Sequence, residues 1–110
     1  YTCYIRAVWA DPNDPQHLIA GPADGVSING LIEESNDGGH TWRLASDGMP
    51  PTPWPRHMVE RFVQLDNDMF MVLSNGELWL KSLDKTKWHR ILLEVPHIRA
   101  IKGKKSSRGL

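Results

Sequence analysis

A short stretch between two apolar segments, Ser35–Trp42, constrains the fold of this chain more than any other feature. Asp37-Gly38-Gly39 is a turn signal, because glycine reaches positive φ without a Cβ clash and aspartate accepts hydrogen bonds from the amides that follow it. The flanking residues 31–32 and 41–44 have strand composition. The stretch therefore predicts a β-hairpin with an internally braced loop, and the ring of Trp42 is large enough to cover that loop.

Short strand-like segments run through the rest of the chain. Four precede residue 48, at 4–10, 17–21, 26–35 and 41–45. Turn chemistry at 11–15 and a break at 21–25 separate the first three. Four more follow, at 57–65, 69–73, 78–82 and 88–92. Short strands separated by turns at regular spacing predict all-β, antiparallel four-stranded meanders.

Two local signals sharpen the second set of strands. Asn75-Gly76 is typical of a two-residue hairpin. The segment 69–73 is apolar throughout, which predicts a strand that is buried on both faces.

The braced loop recurs in decayed form. Ser35 and Ser82 lie 47 residues apart, and Trp42 and Trp88 lie 46 apart. The second loop carries Ser82, Asp84 and Trp88, but it lacks the glycine and is one residue shorter. A period in the forties with four strands per period is typical of a β-propeller. Helical repeats are excluded because no segment sustains a 3.6-residue period with caps, and one cysteine cannot supply the spacing of an immunoglobulin-like sandwich.

The pattern Ser-x-Asp-x-Gly-x-Thr-Trp resembles the Asp-box of BNR-repeat proteins. The five positions are filled by Ser35, Asp37, Gly39, Thr41 and Trp42. That family includes sialidases and other glycosidase-like β-propellers, sortilin-type receptors and photosystem-assembly factors. The preceding strand, Asp-Pro turn and Ala-Gly strand extend the resemblance to a whole blade of about 40 residues.

The resemblance implies a peripheral position for the box, between the third and fourth strands of a blade and away from the central ligand face. Asp37 is therefore expected to be a folding residue and not a catalytic acid. A calcium site is the alternative, but the loop lacks the spaced carboxylates of an EF-hand-type site.

These patterns predict five segments. They are a first blade at 1–48, a proline-rich connector at 49–56, a second blade with a degenerate Asp-box at 57–93, a strand of a third or closing blade at 94–101, and a basic disordered tail at 102–110. The prolines of the connector exclude a helix, and a polyproline ligand is the alternative reading of that segment.

A propeller closes with roughly four to eight blades, and this sequence encodes about two. We therefore predict a C-terminal fragment of a longer propeller, whose other blades are its partners. The alternative is a short chain that closes a ring by forming an oligomer.

The predicted function is that of a binding or scaffold platform with an unidentified carbohydrate or protein ligand. Candidate ligand residues are Asp24, Trp54, Arg56 and His57, which lie on connecting segments where an aromatic ring beside a cation can stack on a sugar or peptide. The alternative is part of a sialidase-like or glycoside-hydrolase-like enzyme, whose catalytic residues would lie mostly in missing blades. No catalytic residue is assigned, because adjacent residues such as Glu33 and Glu34 face opposite sides of a strand and cannot act as a pair.

Composition narrows the remaining classes. The net charge is +0, so we predict no nucleic-acid partner, with the basic tail as the alternative site for one. The five histidines do not fall at zinc-ligand spacings, and no metal or cofactor is expected. No apolar run approaches the ~20 residues of a membrane span. Cys3, the single cysteine, leaves the compartment undecided.

Overall fold

The structure is a computed structural model that describes residues 4–92. Within that range it contains no helix and eight strands in two four-stranded antiparallel sheets. The first sheet consists of β1 (Tyr4–Ala10), β2 (Leu18–Ala23), β3 (Glu33–Ser35) and β4 (Arg43–Leu44). The second consists of β5 (Val59–Leu65), β6 (Asp68–Leu73), β7 (Leu78–Ser82) and β8 (His89–Ile91). Strands adjacent in sequence are adjacent in each sheet, so the predicted all-β class with antiparallel four-stranded meanders is confirmed.

Two sequence predictions fall outside the described range. They are the strand at 94–101 and the basic tail at 102–110, and Cys3 also lies outside it. Among residues 4–92, no helix is long and apolar enough to cross a membrane.

The first sheet differs from prediction around Pro22. Residues 21–23 belong to β2, although their Gly-Pro sequence predicts a break. Because β3 pairs only with residues 18–20, Pro22 has one strand neighbour and lies opposite Ile5, next to a register shift in β1. Proline is tolerated at such positions, where its missing N–H breaks no ladder. The predicted third strand is shortened to Glu33–Ser35, because the residues before it form a tight turn.

The β6–β7 hairpin also differs in detail. Positive φ in its loop is confined to Gly76, at +91°. The Gly76 amide donates to the Leu73 carbonyl at 3.0 Å, and the Leu73 amide donates to the Glu77 carbonyl at 2.9 Å. This is a type I turn followed by a left-handed glycine, and not the predicted two-residue hairpin, which needs two positive φ angles.

Burial along β6 alternates. Met69, Met71 and Leu73 are buried, whereas Phe70 and Val72 are half-buried. The prediction that this strand is buried on both faces is therefore wrong. Its other face carries no second sheet within residues 4–92.

The core lies between the two sheets. Directly paired residues share a face, so the row Trp9–Ile19 of the first sheet and the row Met71–Trp79 of the second are each on one side. These four side chains are buried together, and they define the inner faces of the two sheets. The strands that meet across the interface are β1 with β5 and β2 with β5. The burial of each of these large apolar side chains stabilises the packing of the two sheets by about 1.5–3 kcal/mol.

The connector between the sheets is held by hydrogen bonds to the segment that precedes β3. The Trp54 amide donates to the Gly30 carbonyl at 2.8 Å, and the Gly30 amide donates back to the Trp54 carbonyl at 3.0 Å. The Trp54 ring is buried, and its indole N–H donates to the Pro50 carbonyl at 3.2 Å. Gly30 is required here because a Cβ would lie 2.3 Å from the His57 carbonyl oxygen. The connector between β4 and β5 therefore has a defined conformation.

Candidate binding face

Three connecting segments meet at one end of the sheets. They are residues 24–30, 52–58 and 74–76, which we call the loop end. The Ser27 hydroxyl donates to the Ser74 hydroxyl at 3.0 Å, and Ser74 Oγ accepts from the Met58 amide at 3.0 Å. The Asn29 amide donates to the Pro55 carbonyl at 3.3 Å. Segments far apart in sequence are therefore held together by hydrogen bonds, which gives this end a defined surface.

All four sequence-predicted ligand residues lie at the loop end. Asp24 is exposed and accepts from the Asn29 side-chain amide at 2.9 Å. Arg56 is exposed, and His57 is half-buried with its ring stacked on Trp54 at 5.1 Å between centroids and 10° between planes. Trp54 itself is buried beneath His57, so its ring presents no face to solvent. Of the predicted arrangement of an aromatic ring beside a cation, only His57 and Arg56 are at the surface.

Sequence reasoning missed the two most exposed apolar residues of this end. Val26 is 56% exposed and Ile28 51% exposed, on a turn closed by hydrogen bonds between residues 24, 25 and 28. Ser27 and Asn29 have φ of +54° and +52°, a conformation that is uncommon outside glycine. Residues held in such sparsely populated conformations cluster at functional sites, although they also occur in ordinary turns such as that at Asp66. The available signal was the pair of aliphatic residues between Gly25 and Asn29, in a segment that was predicted to be a strand.

Two cavities differ in character. A small one of about 110 Å³ at the loop end is lined by Pro22, Ala23, Asp24, Asn29, Leu31 and Pro53. A larger one of about 610 Å³ lies elsewhere, between β4 and the loop that precedes β8. The charged groups of the larger cleft are mostly engaged within the chain: Glu34 binds His17 and Arg43, and the Lys81 ammonium binds backbone carbonyls. The larger cleft therefore lies at the boundary between the two sheets, and it offers fewer unpaired charged groups to a ligand than its size suggests.

The five residues of the predicted Asp-box form a self-contained brace between β3 and β4. One Asp37 oxygen accepts from the Thr41 hydroxyl at 2.6 Å, and the other accepts from the Thr41 amide and the Ser35 hydroxyl, both at 2.8 Å. Buried Ser35 accepts from the Gly39 amide at 2.8 Å, and the Trp42 indole donates to the Gly39 carbonyl at 3.0 Å. Hydrogen bonds from Thr41 hold the pKa of Asp37 well below its usual range. Each polar group of Asp37 is thus directed into its own loop.

Strand register alters the correspondence between the two loops. The pairs Glu33–Leu44 and Trp79–Arg90 close hairpins of equal length, 46 residues apart. The same shift places Lys81 at the position of Ser35, and Ser82 lies one residue further on.

Lys81 braces its loop with the opposite chemistry. Its buried ammonium donates to the Ser82 carbonyl at 3.4 Å and to the Lys85 carbonyl at 3.1 Å, and it lies 5.6 Å from the centre of the Trp88 ring. Burial lowers the pKa of Lys81. Asp84 accepts a long contact of 3.4 Å from Asn67 and takes no part equivalent to that of Asp37.

A histidine cluster also lies away from the loop end. The two ring nitrogens of His17 contact the Asp11 carboxylate, at 2.9 Å, and the Glu34 carboxylate. Burial lowers the pKa of His17, but the hydrogen bonds to Asp11 and Glu34 outweigh it, so the pKa is raised above 6.5. The imidazole ties the β1–β2 turn to β3, which is a structural task. Within residues 4–92, no group of three or more His, Cys, Asp or Glu side chains is placed to hold a metal ion.

No family model, curated protein or solved structure matches this chain. The loop end is therefore the feature from which a function is best argued.

Proposed function

We propose that this chain supplies two consecutive blades of a BNR-type β-propeller and acts as a binding platform through its loop end. Several features support the blade assignment. Each sheet is a four-stranded meander, and the chain passes from the last strand of one sheet to the first strand of the next. Sheets connected in this way and arranged around an axis are the construction of a propeller. The constant shift of 46 residues between the two hairpins also supports a repeated unit.

The single observation that carries the binding proposal is the exposed aliphatic pair beside a cation. Val26 and Ile28 stand at the tip of their turn, and the Asn29–Pro55 hydrogen bond brings that turn next to exposed Arg56. Neighbouring exposed apolar side chains that are rimmed by polar groups mark interaction sites in many soluble proteins. Because the hydrogen bonds at Ser27 and Asn29 hold the turn, little conformational entropy remains to be lost on binding.

The chemistry of this surface favours a protein ligand over a carbohydrate. Sugar recognition usually uses an exposed aromatic face, and Trp54 at the loop end is buried. Aliphatic side chains next to a guanidinium suit a peptide segment that carries one apolar and one acidic side chain.

The enzyme alternative has weaker support. Asp24 is the one carboxylate of the loop end as defined above, whereas glycoside hydrolysis uses two carboxylates on either side of the bond.

The test is binding of the purified chain to an array of immobilised peptides that varies apolar and acidic positions. We expect micromolar binders whose affinity falls about tenfold for Val26→Asp and for Arg56→Glu, the usual cost of a contact residue. Lys85→Glu is the control for charge reversal, because Lys85 is exposed on the loop that precedes β8, at the opposite end of β7 from residues 74–76, and its substitution leaves affinity unchanged.

Three results would contradict the proposal. They are an absence of peptide binders, equal losses for Arg56→Glu and Lys85→Glu, and selective binding to a glycan array. Turnover of fluorogenic glycosides by the chain would favour the enzyme alternative.

A further inference from the structure

Each sheet has a second face that carries apolar side chains. The first outer face consists of Val8, Leu18, Ala20, Trp42 and Leu44. The second outer face consists of Val63, Leu65, Phe70, Val72 and Leu80. Val8, Leu44, Val63 and Leu65 are among the most exposed large apolar residues of the described chain. Both faces are therefore unpartnered sheet surfaces of the kind that usually pack against another layer.

The first outer face is equivalent in register to a surface that is already buried. Shifted by 46 residues, its Glu33–Leu44 pair becomes the Trp79–Arg90 pair on the inner face of the second sheet. The same shift takes Trp42 to Trp88. Trp88 is 1% exposed, and it donates from its indole to the Ala45 carbonyl at 2.9 Å.

Trp42 has no such neighbour. It is 38% exposed, and its indole N–H turns back to a carbonyl of its own loop. The difference between the two tryptophans is that residues 45–48 pack against Trp88, whereas no equivalent segment packs against Trp42 within residues 4–92.

The second outer face matches the other side of the same interface. The row Val63–Phe70–Leu80 has the register position of the row Trp9–Ile19–Glu34, which is the surface that receives the second sheet. The two outer faces of one chain therefore have the register positions of the two surfaces that meet at the internal interface. The chain's net charge of +0 places no general repulsion between copies.

We propose that a second copy of this chain packs the outer face of its second sheet against the first outer face, and so repeats the internal interface between chains. This inference rests on the proposed role of the two sheets as blades. The contact is heterologous, because different faces meet, and it propagates until a ring closes. Rings of roughly four to eight blades need about two to four copies.

A two-fold symmetric contact would be a different assembly. It would place Trp42 of one copy against Trp42 of the other, and the internal interface offers no pattern for that arrangement, since Trp88 packs against residues 45–48 and not against another tryptophan.

The test is the mass of the purified 110-residue chain, measured by light scattering after size-exclusion chromatography. We expect about 25–50 kDa, which is two to four copies of the 12.5 kDa chain. Leu44→Glu and Val63→Glu each place a charge on one outer face, so neither variant forms a ring. Mixed together, the two variants keep one intact pair of faces, and the mixture forms a complex of two chains. Val26→Glu is the matched control: Val26 is 56% exposed and Leu44 59%, but Val26 lies at the loop end, so this variant keeps the wild-type mass.

Three outcomes overturn the proposal. They are a wild-type mass of one chain at the highest soluble concentration, a mixture of the two variants that stays at one chain, and dimers of Val63→Glu alone, which would indicate the two-fold contact. Circular dichroism establishes whether each variant is folded. If Leu44→Glu does not fold, Leu44→Ser takes its place, and Val63→Ser likewise takes the place of Val63→Glu. Peptide binding at the loop end is measured separately on single chains, so a failure of assembly is distinguished from a failure of the proposed function.

Discussion

Substitution of Gly21 by alanine tests the closest approach between the two sheets. Gly21 is buried in β2, and a Cβ at this position would lie 2.5 Å from Val59 Cβ and 2.7 Å from Val59 Cγ2. Carbon atoms in contact are normally about 3.5–4.0 Å apart. The added methyl group therefore forces β2 and β5 apart by about 1 Å, or it displaces the Val59 side chain from its packed position.

The expected cost follows from two opposing effects. Alanine stabilises a strand interior by about 0.5–1 kcal/mol relative to glycine. Overpacking costs about 1–3 kcal/mol, so Gly21→Ala is expected to destabilise by about 1–2 kcal/mol. Val59 is fully buried, and Val59→Ala removes two methyl groups and leaves a cavity at a cost of about 2–3 kcal/mol. In the double variant the contact with Cγ2 is removed, whereas the Cβ of residue 59 still lies 2.5 Å from the new methyl and has to shift into the vacated space. The loss is therefore about 1 kcal/mol smaller than the sum of the single losses.

The measurement is equilibrium unfolding in urea followed by far-UV circular dichroism, at one fixed low protein concentration. A shifted midpoint with an unchanged slope reports a change of stability alone. Gly76→Ala is the control, since its φ is +91° but a Cβ there meets nothing within 4 Å. It costs about 1 kcal/mol through backbone strain and adds to Val59→Ala without coupling. If Gly21→Ala and Val59→Ala are also additive within about 0.5 kcal/mol, the two sheets do not meet at this point and the packing described above is wrong.

Two further predictions concern pH. The raised pKa of His17 in the fold means that its contribution to stability is fully present below about pH 6.5 and lost as pH rises through the folded pKa. Wild-type urea midpoints therefore fall over that interval and those of His17→Gln do not; parallel profiles would refute the role of the cluster. The pKa of Asp37 is lowered, so its contribution is present above the ordinary aspartate pKa and lost as pH falls toward the folded value. Asp37→Ala is expected to lower the midpoint at pH 7 and to converge with wild type in acid, with peptide binding unchanged. Loss of binding at unchanged stability would show that Asp37 is not a folding residue.

Local signals account for the part of the fold that the sequence predicted. Asp37 with its two glycines specifies a hairpin from within eight residues, and the Asp-Pro turn after β1 is equally local. Strand composition separated by such turns was sufficient for the number and order of the strands in both sheets. These properties depend on residues near one another in the chain, which is why the pattern contains them.

The missed features depend on contacts between distant segments. In the sequence, Trp54 close to Arg56 suggests an aromatic ring that is available to a ligand. In the structure the backbone of Trp54 pairs with Gly30, and the ring is buried. The exposure of Val26 and Ile28 likewise follows from hydrogen bonds that hold the turn outward. No local sequence pattern predicts the burial of Trp54 or the exposure of Val26 and Ile28, because the sequence around Val26 and Ile28 is also compatible with a strand.

Lys81 has a consequence for how repeats of this kind are counted. Ser35 closes its hairpin by accepting an amide, whereas Lys81, at the same register position, closes an equally long hairpin by donating to carbonyls. The backbone path is therefore compatible with either polarity of buried group. A search for the letters of the box would find one repeat in this chain, and a search for hairpin length with a buried polar residue at its base would find two. In this chain, the number of repeated hairpins counted from the letters of the box alone is therefore a lower limit.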